Sequence, residues 1–100
     1  MDATELKAIL AQHKLWIESG RKKGKRAYLQ GAYLRGANLL CAYLVDANLQ
    51  GATFDLNFKK VAYFQNATFS EDQIAWVCLH PKYHEWASTL KWVKAERLSA

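Results

Sequence analysis

The sequence is short of several things, and each shortage excludes a class. In 100 residues there are one proline, five glycines and two cysteines. Cys41 and Cys78 are too few for a disulfide scaffold, so reduced thiols and a cytoplasmic location are expected. No apolar run approaches the ~20 residues that cross a bilayer, and no membrane contact is expected. Met1 to Glu5 has no basic stretch leading into an apolar one, so no signal peptide is expected there. Disorder is excluded by the composition, 51% hydrophobic against 23% charged, which can bury enough surface to offset chain entropy. A chain of this length makes one domain. It buries only about 60–70% of its unfolded surface, which leaves little room for a large catalytic cleft.

Charge is unevenly spread. The net charge is +5, and residues 1–26 hold seven Lys/Arg against three Asp/Glu. Residues 27–70 hold three against two, and residues 71–100 four of each. The excess sits in Arg21, Lys22, Lys23, Lys25 and Arg26. Such a cluster attracts phosphates or acidic surfaces, although a solvated linker between two structured parts has the same composition.

From Ala27 the sequence breaks into fives. Ala27-Tyr-Leu-Gln-Gly is followed by Ala32-Tyr-Leu-Arg-Gly, Ala37-Asn-Leu-Leu-Cys, Ala42-Tyr-Leu-Val-Asp, Ala47-Asn-Leu-Gln-Gly and Ala52-Thr-Phe-Asp-Leu. The pattern resumes with Ala62-Tyr-Phe-Gln-Asn and Ala67-Thr-Phe-Ser-Glu. On an α-helix a period of five smears leucines around the axis. On a straight strand it alternates them between faces. Only a chain that turns a corner once per repeat buries the alanines and leucines together.

These repeats resemble the pentapeptide-repeat family, whose pattern is Ala-(Asp/Asn)-Leu-X-X, over residues 27–70. The resemblance implies a mainly β fold, a short right-handed quadrilateral β-helix of about two coils with 20 residues to a coil. At that offset Leu29 stacks on Leu49 and Phe69, Leu34 on Phe54, and Leu44 on Phe64. The face at 55–61 departs from the pattern, and Phe58 rather than Lys59 is expected inside, since an unpaired charge in the core is costly. A deliberate bulge and drift on an unimportant face both account for it. Arg35 and Asp55, 20 apart, are expected to form a surface ion pair.

Open ends of a stacked coil need caps. A helix over 4–19, with Leu6, Ile9, Leu10, His13, Trp16 and Ile17 on one stripe, supplies the first. A basic link over 20–26 joins it to the repeats over 27–70. Two C-terminal helices over 71–98 form the second cap. One opens at a Ser70–Gln73 capping box and is apolar all round over Ile74–Leu79, hence buried on several sides. The other starts at Pro81 and runs past Val93.

Chemistry is scarce. Cys78, His80 and His84 are one ligand short of a zinc site, residues 19–25 lack the spacing of a phosphate loop, and no nucleophile–base pair is spaced for catalysis. No enzyme, metal or cofactor is expected. Asn66-Ala-Thr68 matches a glycosylation sequon without meaning in a cytoplasmic repeat. The resemblance implies a non-catalytic protein-interaction scaffold of unspecified partner, including the possibility of a phage-type inhibitor of host defence. Its relatives that imitate DNA use a strongly acidic coil, which this chain lacks. The alternative is weak nucleic-acid or polyanion binding through Arg21 to Arg26. Tyr28, Tyr33, Tyr43 and Tyr63, which stand where the family has Asp or Asn, either cover coil edges or form a binding face. Trp92, opposite the buried stripe of the last helix, is either a homodimer anchor at the C-terminal helices or a lone exposed aromatic.

Overall fold

The computed structural model describes residues 2–94. Residues 95–98 of the expected C-terminal helix lie outside that range. Helix α1 covers Ala3–Glu18 and starts one residue earlier than expected, because Asp2 caps it by accepting from the Glu5 amide at 2.7 Å. Its stripe at three- and four-residue spacing buries Leu6 and His13 and packs Ile9 and Leu10 against the core. Gly20 and Arg21 then take positive φ and end it.

Residues 27–54 turn once every five residues. Each turn closes by a backbone bond from the next alanine to the preceding leucine: Ala32 to Leu29, Ala37 to Leu34, Ala42 to Leu39, Ala47 to Leu44 and Ala52 to Leu49, all at 3.0–3.1 Å. The residue before each of these alanines has positive φ: Gly31, Gly36, Cys41, Asp46 and Gly51. A turn of this kind needs a left-handed third residue, which glycine adopts freely and Asp or Asn tolerates. The leucine of each turn points inward, and Leu29, Leu34, Leu39, Leu44 and Leu49 are all buried.

Turns 20 residues apart pair in parallel through single residues: Tyr28 with Asn48, Asn48 with Thr68, Tyr33 with Thr53, and Tyr43 with Tyr63. At 56–60 the pattern gives way to a 3₁₀ turn, Leu56–Lys60, capped by Asp55. That turn places Phe58 in the core, with Lys59 and Lys60 exposed. Phe58 stacks on Phe54 at 4.8 Å and meets Phe64 and Phe69 edge-on at 5.1 and 5.7 Å. Each such fully buried side chain contributes about 1.5–3 kcal/mol.

The mainly β expectation is overturned. The one sheet among the described residues has two strands of three residues, β1 (Thr68–Ser70) and β2 (Lys91–Val93), paired in parallel. About 38% of the described residues are helical and 13% are in strand pairing when the single-residue pairings of the turns are counted with the two strands, and the continuous sheet faces of a quadrilateral β-helix are absent among them. The reason is local. Most of each pentapeptide goes into its corner, leaving one extended residue to pair, and one residue does not build a strand.

The C-terminal segment also differs from expectation. After a 3₁₀ turn at Glu71–Gln73, helix α2 spans only Ile74–Val77, and of its residues only Val77 is buried. Ile74, Trp76 and Leu79 are exposed, so this stretch covers the core with one face rather than being enclosed. Helix α3 spans Tyr83–Trp86, runs into a 3₁₀ turn at Ala87–Thr89 and stops. Extended β2 follows, its Lys91 amide bonded to the Ala67 carbonyl at 3.0 Å. The open edge of β1 wins over helical continuation there, because it satisfies backbone groups that would otherwise lack partners.

Candidate functional site

The basic link is folded against the protein rather than free. Ser19 Oγ accepts from the Lys22 and Lys23 amides at 3.2 and 2.8 Å, which curls the chain back. The Arg21 guanidinium lies 2.7 Å from the Asp46 carboxylate and 5.0 Å over the Trp16 ring. Arg26 Nε donates to the Asp46 carbonyl at 2.6 Å. Two of the five cations are therefore engaged in tying α1 to the turns. Lys22, Lys23 and Lys25 stay exposed.

The four tyrosines are not one face. Tyr43 and Tyr63 form a ladder with ring centres 4.9 Å apart, and Tyr63 continues it to Trp86 at 6.0 Å. Tyr28 and Tyr33 are 68% and 63% exposed on other sides of the turn stack. Trp92 does not project from a helix. It lies on β2, half-buried, with its ring 5.5 Å from Phe69, so the geometry that made it an outward dimer anchor is absent. Arg35 and Asp55 do not pair either. Asp55 accepts from the Gly36 and Asn57 amides at 2.9 and 2.8 Å, which leaves the Arg35 side chain exposed.

Between α1 and the N-terminal rim of the turns lies a cleft of about 710 Å³. Leu6 and Leu10 line it from α1, and Tyr33, Leu34, Ala37 and Leu40 from the turns. Lys7 and Arg35 stand in the same lining. Leu40, 63% exposed, is a large apolar side chain left in water at this rim. The cleft was not visible in the sequence, because it depends on the angle at which α1 crosses the turns.

Four polar side chains do the capping, through bonds to distant turns that the sequence did not show. His13 is buried. Its Nδ1 accepts from the Ala27 amide at 2.8 Å, so Nε2 carries the proton and donates to the Val45 carbonyl at 2.6 Å. His80 repeats the device at the other end: Nδ1 accepts from the Lys82 amide at 2.9 Å and Nε2 donates to the Val61 carbonyl at 2.7 Å. Burial holds both imidazoles below the ordinary histidine value, against the opposing pull of those carbonyls. Asn57 donates both amide protons, to Leu34 and Ala37 carbonyls at 2.8 Å. Gln73 does the same for Leu49 and Ala52 at 2.7 Å, and its Oε1 accepts from the Ser70 amide at 2.6 Å. The sequence placed His13 on the buried stripe of the first helix and Gln73 in a capping box, but it showed neither residue's bonds to the distant turns and gave no sign of the part played by Asn57.

With both His80 nitrogens bonded and Cys78 and His84 exposed, these three do not converge as ligands. Among the described residues no cluster of His, Cys, Asp or Glu is placed to hold a metal. No helix among them is long and apolar enough to cross a membrane. Neither the curated proteins nor the solved structures include a match to this chain. Residues 25–55 do match a family model, described as Pentapeptide repeats (8 copies). The five-residue turns and this match to about a third of the chain together support its reading as a pentapeptide-repeat protein.

Proposed function

We propose that this protein is a non-catalytic, cytoplasmic scaffold that binds another protein. Pentapeptide repeats in general suggest interaction scaffolds. The observation that carries the reading is the exposed apolar rim, where Tyr33 and Leu40 are each 63% exposed beside the 710 Å³ cleft. Large apolar side chains also stand exposed elsewhere, at Ile74, Trp76 and Leu79 among others, but at this rim two of them border a cleft, the arrangement that suits a contact surface. Polyanion binding is the second reading, carried by exposed Lys22, Lys23 and Lys25. Three free lysines on one short segment give at most weak, salt-sensitive attachment.

Photo-crosslinking in lysate separates the two. With a photoreactive residue at position 40, a discrete protein adduct that survives about 200 mM salt is expected, since apolar contacts are not screened. Crosslinking only to nucleic acid, lost at that salt and abolished by Lys22→Gln/Lys23→Gln/Lys25→Gln, would put the polyanion reading first.

A further inference from the structure

We propose that the cleft between α1 and the turns takes an extended, acidic and apolar peptide segment of a partner protein. The inference rests on the scaffold reading and names the partner's chemistry.

The backbone gives the first argument. Where turns pair, the residue of the later turn directs both its N–H and its C=O at the earlier turn. Thr53 donates to the Ala32 carbonyl at 2.9 Å and accepts from the Leu34 amide at 2.7 Å. Asn48 does the same toward Ala27 and Leu29, at 3.1 and 2.9 Å. Tyr33 occupies the position equivalent to Thr53 in the first turn of its ladder. Its N–H and C=O therefore face the N-terminal side, where no earlier turn exists, and they have no hydrogen-bond partner among the described residues. Tyr33 lines the cleft. An extended segment laid there acquires the two bonds that an earlier turn would make, which is the principle of strand addition at an open edge.

Side chains give the second. Leu6 and Leu10 on one wall and Leu40 on the other form an apolar trough in which alternate side chains of an extended segment can sit. Its volume falls within the range of clefts that bury a drug-sized ligand, room for a few side chains of such a segment.

Charge gives the third, and it selects the acid. Lys7 and Arg35 both stand in the lining and are exposed, and neither is ion-paired among the described residues. The only carboxylate in the lining among the described residues is Asp2, and it is turned to the Glu5 amide at the start of α1. Two available cations against one engaged carboxylate favour a segment bearing Glu or Asp beside its apolar residues, and disfavour a basic one.

The test is an amide-shift titration of the isotopically labelled full chain with two synthetic peptides, one alternating leucine with glutamate and one leucine with lysine. The leucine–glutamate peptide is expected to shift Leu10, Tyr33 and Leu40 amides, and the leucine–lysine peptide to bind at least roughly tenfold more weakly. Lys7→Glu/Arg35→Glu should reverse that preference while leaving the remaining spectrum in place. The proposal is overturned by an absence of cleft shifts up to about millimolar peptide. It is equally overturned by equal binding of both peptides, by shifts confined to residues 21–26, or by cleft shifts that appear on concentrating the protein alone, which would make a second copy the occupant. A protein adduct from position 40 together with a cleft silent to both peptides would leave the scaffold reading standing and remove only this one.

Discussion

At the residue scale, two buried histidines tie distant segments of the chain together. His13 joins α1 to residues 14 and 32 positions further on, and His80 joins the C-terminal segment to Val61. Each is held as the neutral Nε2–H tautomer. A second proton would have to sit on Nδ1, facing the Ala27 or Lys82 amide that it now accepts from. Asp46 near His13 raises its proton affinity, Arg26 lowers it, and Lys82 lowers that of His80, but burial dominates in both. The folded pKa of each therefore lies below the unfolded value, so protons favour the unfolded chain. The stability these groups contribute is full above about pH 6.5 and is lost as pH falls below it, by up to about 1.4 kcal/mol per pH unit for each histidine. Urea unfolding of the wild type across that range should show the decline, and the doubly substituted His13→Gln/His80→Gln chain a shallower one from a lower starting stability. Equal slopes would mean that the imidazoles are not the groups that titrate.

At the element scale, two glycines with the same backbone conformation should behave differently. Gly36 has a φ of 74° and open space where a Cβ would stand. Gly24 has a φ of 76°, but a Cβ there would lie 2.3 Å from the Gln12 carbonyl oxygen and 2.9 Å from the Trp16 nitrogen. Gly36→Ala should cost only the left-handed penalty, about 1–2 kcal/mol. Gly24→Ala should cost that plus about 1–3 kcal/mol, because the link must move off α1. Thermal unfolding of the two variants tests the order, and equal losses would show that the link is not seated on the helix. The turns were legible because Leu29 through Leu49 and the residues at 31, 36, 46 and 51 repeat a requirement set within five residues. The C-terminal elements were not. Tyr83, Trp86, Leu90 and Val93 fit a helical stripe, yet residues 91–93 are drawn into pairing with β1, a demand made by a strand more than 20 residues earlier. The cleft and the histidine clamps share that cause, since they depend on how distant segments meet.

At the scale of the whole molecule, α1 is part of the core rather than an appendage. Leu6 belongs to the same buried cluster as Leu29, Leu34 and Phe58. His13 satisfies the Ala27 amide and the Val45 carbonyl, which open to the N-terminal side, and the Arg21–Asp46 pair and the Arg26 bond fasten the same end. Removing α1 would expose apolar side chains and leave buried backbone groups without partners, at about 1–3 kcal/mol for each unsatisfied group. Small domains have net stabilities of only about 5–15 kcal/mol, so a chain beginning at Gly20 should lose its cooperative thermal transition. In the full chain, Trp16 at one end and Trp86 at the other should report a single transition, because the turns between them are stabilised from both sides. Fluorescence of single-tryptophan variants at these two positions would measure it. A truncated chain that still melts sharply, or midpoints that separate in the full chain, would show the turns standing without their lid, and the cleft would then lie against an element that can come away.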